Sequence, residues 1–194
     1  MHTTFGVLKQ SRQVLFPRPD VDLIVAAAKK RPPSIYCAVP ALYQRTAEKA
    51  MAQGISLASA RWCISGAMAL VEETRELWES VSSGLLVEGY GLTETSPAVC
   101  INPLDLPEFN HSIGLPISST DVSLRDDDGY EVPLGMPGEL CVKGPQVMKG
   151  YYQRPEDTVR AFTHDGYLRT GDVAIIDEAG FVRIVDRKKD MIIV

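Results

Sequence analysis

The stretch LLVEGYGLTETSP, residues 85–97, joins an apolar run to a loop of glycines, hydroxyl groups and one carboxylate. The run LLVE (85–88) is typical of a buried strand, and Gly89 and Gly91 open the loop that follows. In open parallel sheets, ligands bind beyond the carboxyl ends of the strands. An apolar strand that ends in a loop of small residues therefore predicts a ligand site at the edge of an α/β sheet.

Residues 1–105 alternate between helix and strand patterns, which predicts a partial α/β subdomain with a parallel sheet. Asp20 is a candidate N-cap for the first helix, and the Pro32–Pro33 pair ends it. The loop SGAM (65–68) leaves a second strand end of the same kind. The predicted elements, in chain order, are a helix from Val21, the strand SIYCAV (34–39), a helix in ALYQRTAEKAMAQG (41–54), the strand RWCIS (61–65), a helix with Val71 and Val81 on one face that runs to Gly84, and the strand LLVE (85–88).

After about residue 105 the pattern changes to short strands separated by glycine turns. The turn DDDG (126–129) predicts a hairpin between TDVSLR and YEVP, and Pro155 opens a short helix in PEDTVRAF. We predict a small antiparallel β-barrel-like subdomain over 106–186 and a hinge stub over 187–194. The remaining predicted strands lie in GELCVKG (138–144), GYLRTGD (166–172), DVAIID (172–177) and GFVRIVD (180–186).

The bulk composition narrows the classes of function. The chain has 194 residues, 45% hydrophobic and 23% charged, and its net charge of −5 with no strong basic run argues against a nucleic-acid partner. The longest apolar run, near VDLIVAAA (21–28), is far too short for a transmembrane segment. The four cysteines have no CxxC spacing, which favours free buried thiols in a reducing compartment over a zinc site.

The side chains of the loop suit a nucleotide. Tyr90 offers a flat face on which a base can stack, and Gly89 and Gly91 remove side chains that would block its approach. Thr93 supplies a hydroxyl for a phosphate oxygen, and Glu94 supplies a hard oxygen ligand for Mg²⁺. A glycine-rich turn with a helix-capping pattern and no ligand is the alternative. The loop by itself leaves both interpretations open.

EGYGLTETSP (88–97) resembles the signature of the adenylate-forming enzymes, the superfamily of acyl-CoA synthetases, firefly luciferase and peptide-synthetase adenylation domains. GELCVKGPQVMKGYY and the segment from GYLRTGD to DRKKDMIIV resemble further motifs of this superfamily, in its order and approximate spacing. YCAVPALY and CISGAM resemble the segments that line its acyl pocket. The EGYGLTE and DRKKDMI versions look most like those of long- or medium-chain fatty acyl-CoA ligases.

The resemblance implies roles for individual residues. Tyr90 would lie against adenine, Thr93 would contact the α-phosphate, and Glu94 would hold Mg²⁺. Asp172 would accept hydrogen bonds from the ribose hydroxyls, and Arg187 would bond the ribose from the other side. For Asp172, a turn residue without a ligand is the alternative.

The resemblance also extends to loop and hinge residues. Gly66 and Ala67 would bring the backbone near adenine and the acyl chain, and Lys189 stands where the family places its interdomain hinge. A solvated charged turn is the alternative for the residues around Lys189, and it is compatible with a hinge. The nucleotide-binding set further includes Glu88, Gly89 and Gly91. The candidates for the acyl wall are Tyr36, Val39 and Pro40, each with ordinary core packing as an equal alternative.

The activity that the resemblance implies is a two-step reaction with ATP, Mg²⁺ and CoA. A carboxylate attacks the α-phosphorus of ATP and releases pyrophosphate, and the thiol of CoA then displaces AMP to give a thioester. The expected substrates are a fatty acid and CoA, with a ligase for aryl or short-chain acids as the alternative. These substrates indicate a cytoplasmic location, and loose contact with a membrane surface stays open.

Two parts of the family pattern do not occur in these 194 residues: the Ser/Thr/Gly-rich phosphate loop and the domain that follows the hinge. We therefore expect an internal piece of a ligase that does not complete the reaction by itself. A truncated protein that binds adenylates or partners without catalysis is the alternative of a different class. A piece of this kind would expose the surface that faced the rest of its domain, which favours self-association.

Overall fold

The computed structural model describes residues 6–106 and 108–188. The chain forms two compact units. The first comprises Met1–Glu88 with Leu104–Phe109, and the second comprises Gly89–Pro103 with Asn110–Val194. The division therefore falls inside a strand, directly after the glutamate that begins the EGYGLTE motif.

Helices and strands alternate up to this division, and short strands dominate after it. Of the described residues, none lies in a helix with the length and apolar character needed to cross a bilayer. The elements before the division are α1 (Val21–Lys30), β1 (Ile35–Ala38), α2 (Pro40–Ala52), β2 (Trp62–Ser65) and α3 (Glu72–Val81), and β3 (Leu86–Gly91) runs across it. Those after it are a 3₁₀ turn (Thr93–Thr95), β4 (Ala98–Ile101), β5 (Leu115–Pro116), β6 (Asp121–Arg125), β7 (Gly138–Lys143), α4 (Pro155–Ala161), β8 (Leu168–Ile176) and β9 (Val182–Arg187).

Strand β3 combines parallel and antiparallel pairing. β1 pairs in parallel with β2, and β2 pairs in parallel with β3 through Leu86–Glu88. From Gly89 onward β3 pairs with β4 in the antiparallel sense, and β4 pairs with β5 in the same sense. The predicted α/β portion with a parallel sheet is therefore confirmed, and the mixed pairing places the GYG residues at the end of its parallel part.

Local sequence signals set the helix ends. Asp20 caps α1, because its Oδ1 accepts hydrogen bonds from the backbone N–H groups of Asp22 and Leu23 at 3.0 and 3.2 Å. Pro40 stands in the first turn of α2, where its missing N–H costs no helical hydrogen bond. Gly54 follows the end of α2 with a φ of 60°, a left-handed conformation that glycine adopts without strain.

Three aromatic rings anchor the first unit. Trp78 on α3 is fully buried, stacks on Tyr36 with ring centroids 4.8 Å apart, and meets Tyr43 of α2 edge-on at 4.7 Å. The Tyr43 hydroxyl lies 2.5 Å from the carbonyl oxygen of Tyr36 and 3.1 Å from that of Ile64, so it can donate to either strand. Helices α2 and α3 are thus joined to β1 and β2 through one packed cluster.

The second unit contains a four-stranded antiparallel sheet in the order β6–β7–β8–β9. Its apolar core includes Leu124 of β6, Leu140 and Val142 of β7, and Ala174 of β8. The predicted antiparallel second part is confirmed. Within the described residues its strands form an open sheet and not a closed barrel.

The turn at 126–129 forms, but the predicted strand beyond it does not. Residues 130–133 form one isolated bridge, Arg125 to Glu131, with flanking backbone hydrogen bonds from the Asp126 N–H to the Tyr130 carbonyl oxygen and from the Val132 N–H to the Leu124 carbonyl oxygen, both at 2.9 Å. The full ladder of β6 is with β7. Pro133 has no N–H to donate to a ladder, whereas β7 offers a nearly continuous buried run. The predicted hairpin pairing is therefore present across the turn, but its second arm is too short to form a strand, and the longer ladder of β6 is with β7.

The residues around the RTGD motif form one strand, although the sequence predicted two, at 166–172 and 172–177. β8 runs through Gly171, whose φ of 75° suits glycine, and its register shifts between Val173 and Ala174. A glycine inside a strand often marks a bulge and not a turn. The bulge directly follows the aspartate of this motif.

We expect Trp78→Ala to lower the free energy of unfolding of the 194-residue chain by about 3–5 kcal/mol, because it leaves a large cavity among Tyr36 and Tyr43. Trp62→Ala is the matched control, since Trp62 is 51% exposed, and less than half of that loss is expected. Urea unfolding followed by circular dichroism measures both. Equal losses in the two variants would contradict the aromatic anchor.

Candidate functional site

A buried carboxylate forms the centre of the candidate site. Asp172 of β8 lies opposite Arg187 of β9 in the strand register, and its side chain is only 6% exposed. Its Oδ1 accepts a hydrogen bond from Arg187 Nε at 2.8 Å, and its Oδ2 accepts one from the Tyr90 hydroxyl at 2.5 Å. The structure therefore brings together three residues that the sequence assigned to one nucleotide site.

Tyr90 reaches this carboxylate from β3, where it pairs with Cys100 of β4. Its ring is half-buried and packs against the apolar core of the second unit. Burial, followed by the hydrogen bond to Asp172, raises the pKa of the Tyr90 hydroxyl well above its ordinary value. The phenol consequently stays protonated and acts as a donor to the aspartate.

The loop after Tyr90 is fixed by its own backbone. A Cβ on Gly91 would lie 1.6 Å from the carbonyl oxygen of Pro97, so only glycine lets the chain return this closely. The buried Thr95 hydroxyl accepts from the Leu92 N–H at 3.0 Å and lies 2.8 Å from the Pro97 carbonyl oxygen. Gly91 is thus required for the shape of the loop. The sequence had predicted a different role, in which the missing side chain makes room for a ligand.

The short helical turn of this loop presents the two residues predicted for phosphate and metal. Thr93 is exposed, and Glu94 is half-buried. Glu94 Oε1 accepts a hydrogen bond from the Tyr151 hydroxyl at 3.0 Å, and the Glu94 carbonyl oxygen accepts one from the Met148 N–H at 2.7 Å. Both contacts come from the segment GPQVMKGY (144–151). The sequence indicated that this segment is a family motif but assigned no role to Tyr151.

The residues around Glu94 fit one type of magnesium site. Across residues 6–106 and 108–188, no group of three or more His, Cys, Asp or Glu side chains is placed to hold a metal ion. Mg²⁺ in nucleotide sites is commonly held by one or two carboxylates together with phosphates and water. Glu94 alone therefore suits a cation that arrives with a nucleotide and not a site formed by protein ligands only.

The other predicted contact residues belong to the first unit. Gly66 follows β2, and its N–H donates to the Ala38 carbonyl oxygen at 3.3 Å. Ala67 is exposed and has a φ of 69°, which is uncommon for a residue with a side chain.

Lys189, the predicted hinge residue, lies outside the described residues. Its neighbour Lys188 pairs with Asp127 at 2.7 Å.

Glu88 also belongs to the first unit, at the end of the parallel part of β3 and opposite Ser65 of β2. It is 9% exposed. Burial raises the pKa of the Glu88 carboxyl to about 7, and a hydrogen bond with the backbone of Leu70 offsets this in part. A carboxyl with this pKa changes its charge near neutral pH, which a solvated glutamate does not.

The three candidates for the acyl wall have different surroundings. Tyr36 is half-buried, stacks on Trp78, and its hydroxyl lies 3.0 Å from Thr46 Oγ1. Pro40 is buried at the start of α2, whereas Val39 before it is 40% exposed. The contacts of Tyr36 favour core packing, and the exposure of Val39 leaves it accessible to a ligand.

Three comparisons with known proteins agree on the family. The model of the AMP-binding enzyme family matches residues 1–152. A long-chain-fatty-acid–CoA ligase of Yersinia pestis is 46% identical over 184 residues, which are 94% of this chain and 33% of that protein. A feruloyl-CoA synthase of Amycolatopsis is 35% identical over 189 residues, 96% of this chain and 38% of that protein. The chain thus spans about a third of the length of the curated relatives it matches.

Solved structures show the same fold. MatB from Rhodopseudomonas palustris is 30% identical, with a TM-score of 0.86 in its apo form and 0.82 in its ATP-bound form. Each match covers 99% of this chain and 38% of that chain. The arrangement of strands and helices described above is therefore that of part of a known enzyme fold.

We expect Glu88→Gln to change how stability depends on pH. Since the folded state binds the Glu88 proton more tightly than the unfolded state, the free energy of unfolding should fall as pH rises from about 4.5 to about 7. The glutamine variant lacks this fall. At pH 8 its free energy of unfolding should therefore exceed that of the wild type by on the order of 3 kcal/mol, because one pKa unit corresponds to about 1.4 kcal/mol.

Urea unfolding at pH 4.5 and pH 8 measures this difference. Glu76→Gln is the matched control, because Glu76 is an exposed residue of α3. This variant keeps Glu88, so the fall in its free energy of unfolding between pH 4.5 and pH 8 should remain. An unchanged pH dependence in Glu88→Gln would mean that the Glu88 carboxyl is not held in its neutral form.

Proposed function

The chain belongs to the AMP-binding enzyme family, and from this premise we propose that it supplies the adenylate-binding part of an ATP-dependent long-chain fatty acid–CoA ligase. The observation that carries the proposal is the convergence of Tyr90 and Arg187 on the buried Asp172 carboxylate. The 46% identity to a long-chain-fatty-acid–CoA ligase supports the class of acid.

Asp172 has the capacity to bind a ribose while it keeps both protein partners. An ionised carboxylate offers about four lone-pair sites, and Tyr90 and Arg187 each use one. The remaining sites can accept hydrogen bonds from the two ribose hydroxyls. Arg187 is 60% exposed, so its guanidinium keeps further donors for the same sugar.

Tyr90 and Thr93 would fix the rest of the adenylate. The half-buried ring of Tyr90 is held by its own hydroxyl, which leaves a ring face as a rigid surface for adenine. The exposed hydroxyl of Thr93 would contact the α-phosphate. ATP binding by a protein of the same fold, MatB, supports this role for the site.

Glu94 would hold Mg²⁺ bound to the phosphates of ATP, where the cation neutralises negative charge. In the reaction, a fatty acid carboxylate would attack the α-phosphorus and displace pyrophosphate, and the thiol of CoA would then attack the acyl carbon and displace AMP. The residues of this chain would orient the ribose, the base and the α-phosphate for an in-line displacement. Their hydrogen bonds are formed in advance, which lowers the cost of organising the site during the reaction.

The class of acid has a second candidate. A feruloyl-CoA synthase covers 96% of the chain at 35% identity, which supports an aryl acid in place of a long acyl chain. Binding of acyl-adenylate analogues with octanoyl, palmitoyl and feruloyl groups compares the two candidates directly. Both candidates share ATP and CoA as substrates, and these suit a cytoplasmic location, with contact to a membrane surface as the alternative.

A binding role without catalysis has its own supporting observation. Ile35 and Trp62 are cross-strand neighbours on β1 and β2, and they are 39% and 51% exposed. Parallel sheets are usually covered on both faces, so exposed apolar side chains here favour self-association of the chain. Adenylate binding together with a concentration-dependent oligomer would fit this second candidate.

We expect the chain to bind a palmitoyl sulfamoyl-adenosine, a stable analogue of an acyl-adenylate, and Asp172→Asn to weaken this binding roughly 10- to 100-fold. The reason is that hydrogen bonds to a charged group contribute about 1.5–3 kcal/mol, and the amide offers fewer acceptor sites. Titration calorimetry measures both affinities.

Asp128→Asn is the matched control, because Asp128 is exposed in the 126–129 turn. It should bind the analogue like the wild type. Circular dichroism establishes that each variant is folded. Equal affinities of the wild type and Asp172→Asn would contradict the proposed ribose contact.

A further inference from the structure

The carboxylate of Glu94 is held by a residue that lies 57 positions away in the chain. The Tyr151 hydroxyl donates to Glu94 Oε1 at 3.0 Å. We propose that Tyr151 is a positioning residue, whose hydroxyl orients the Glu94 carboxylate toward the metal–nucleotide complex. This inference rests on the proposed function, because it concerns the same nucleotide site.

The backbone around Tyr151 is placed by several independent contacts. The Tyr151 N–H donates to Thr158 Oγ1 at 2.9 Å, at the start of α4. Gly150 makes this possible, because a Cβ at that position would lie 2.5 Å from the side chain of Thr158. The Tyr151 backbone, which precedes α4, is thus tied to this helix, and the Tyr151 hydroxyl reaches Glu94 in the loop.

The same segment, residues 144–151, holds the loop at other points. The Met148 N–H donates to the Glu94 carbonyl oxygen at 2.7 Å. The side-chain amide of Gln146 donates to the Ala98 carbonyl oxygen at 3.2 Å and to Thr120 Oγ1 at 2.7 Å. The backbone of Glu94 is thus fixed without Tyr151, and the hydroxyl of Tyr151 acts on the carboxylate alone.

The chemistry of the contact suits orientation and not charge neutralisation. A tyrosine hydroxyl is a neutral hydrogen-bond donor, and here it lies 3.0 Å from Glu94 Oε1. One such donor leaves the carboxylate its negative charge and most of its acceptor capacity. Partners that orient a metal-binding carboxylate typically change metal affinity 10- to 100-fold when they are removed.

The chain offers a closely matched control. Tyr152 is the next residue, is 87% exposed, and its hydroxyl accepts a hydrogen bond only at the chain surface, from Gln153 Nε2 at 3.2 Å. Tyr151→Phe and Tyr152→Phe therefore remove the same single oxygen from adjacent positions. A loss that is confined to the first variant cannot come from the general effect of removing a phenol.

The test measures the affinity for Mn²⁺, a spectroscopic substitute for Mg²⁺, of the 194-residue chain in the presence of ATP. Tyr151→Phe should weaken Mn²⁺ binding about 10-fold, as detected by electron paramagnetic resonance of free Mn²⁺, and Tyr152→Phe should leave it unchanged. Binding of palmitoyl sulfamoyl-adenosine without any metal should be the same in all three proteins, because that ligand needs no cation.

Three outcomes would overturn the inference, and a fourth would overturn the proposed function on which it rests. Mn²⁺ affinity in Tyr151→Phe within twofold of the wild type would show that the hydroxyl does not orient Glu94. If Tyr151→Phe weakened metal-free analogue binding as much as it weakened Mn²⁺ binding, the role of Tyr151 would be purely structural. Analogue binding by a wild type whose ATP complex shows no Mn²⁺ affinity would reject Glu94 as the metal holder but keep the proposed function. If the wild type itself did not bind the analogue, the proposed function would be rejected.

Discussion

The second unit depends on the buried carboxylate of Asp172. The Asp172 side chain is only 6% exposed, and a carboxylate in such a position is tolerated only when it is paired and hydrogen-bonded. Arg187 supplies the opposite charge from the neighbouring strand, and Tyr90 supplies a neutral donor from β3. The aspartate therefore links three strands of the unit, and the same bonds arrange a flat ring and a guanidinium around one carboxylate.

The positions of these groups follow from backbone features that the sequence marks with glycine. Gly91 allows the chain to return against Pro97, which fixes the turn that carries Glu94. Gly171 occupies a left-handed conformation immediately before Asp172, next to the bulge of β8. Both glycines belong to the motifs that identified the family. The motifs therefore specify the shape of the loops as well as the residues that would contact a ligand.

Much of the first unit could be predicted from local signals. The cap at Asp20, the proline at the start of α2 and the apolar strand runs act within a few residues, and a single sequence displays them. The choice of β7 as the partner of β6 could not be predicted in this way, because ladder partners compete across distant segments. The contact between Tyr151 and Glu94 was missed for the same reason. It joins two motifs that were each recognised but not related to one another.

Because the Tyr90 hydroxyl donates to the Asp172 carboxylate, we expect the two side chains to be energetically coupled, and a double-mutant cycle measures this coupling. Urea unfolding of the wild type, Tyr90→Phe, Asp172→Asn and the double variant gives their coupling free energy. We expect a coupling of about 1.5–3 kcal/mol, the usual range for a hydrogen bond to a charged group. A control cycle pairs Tyr130→Phe with Asp172→Asn. Tyr130 is 74% exposed, so the effects of these two substitutions on the free energy of unfolding should be additive. Additivity within about 0.5 kcal/mol for Tyr90 and Asp172 would show that their hydrogen bond does not stabilise the fold.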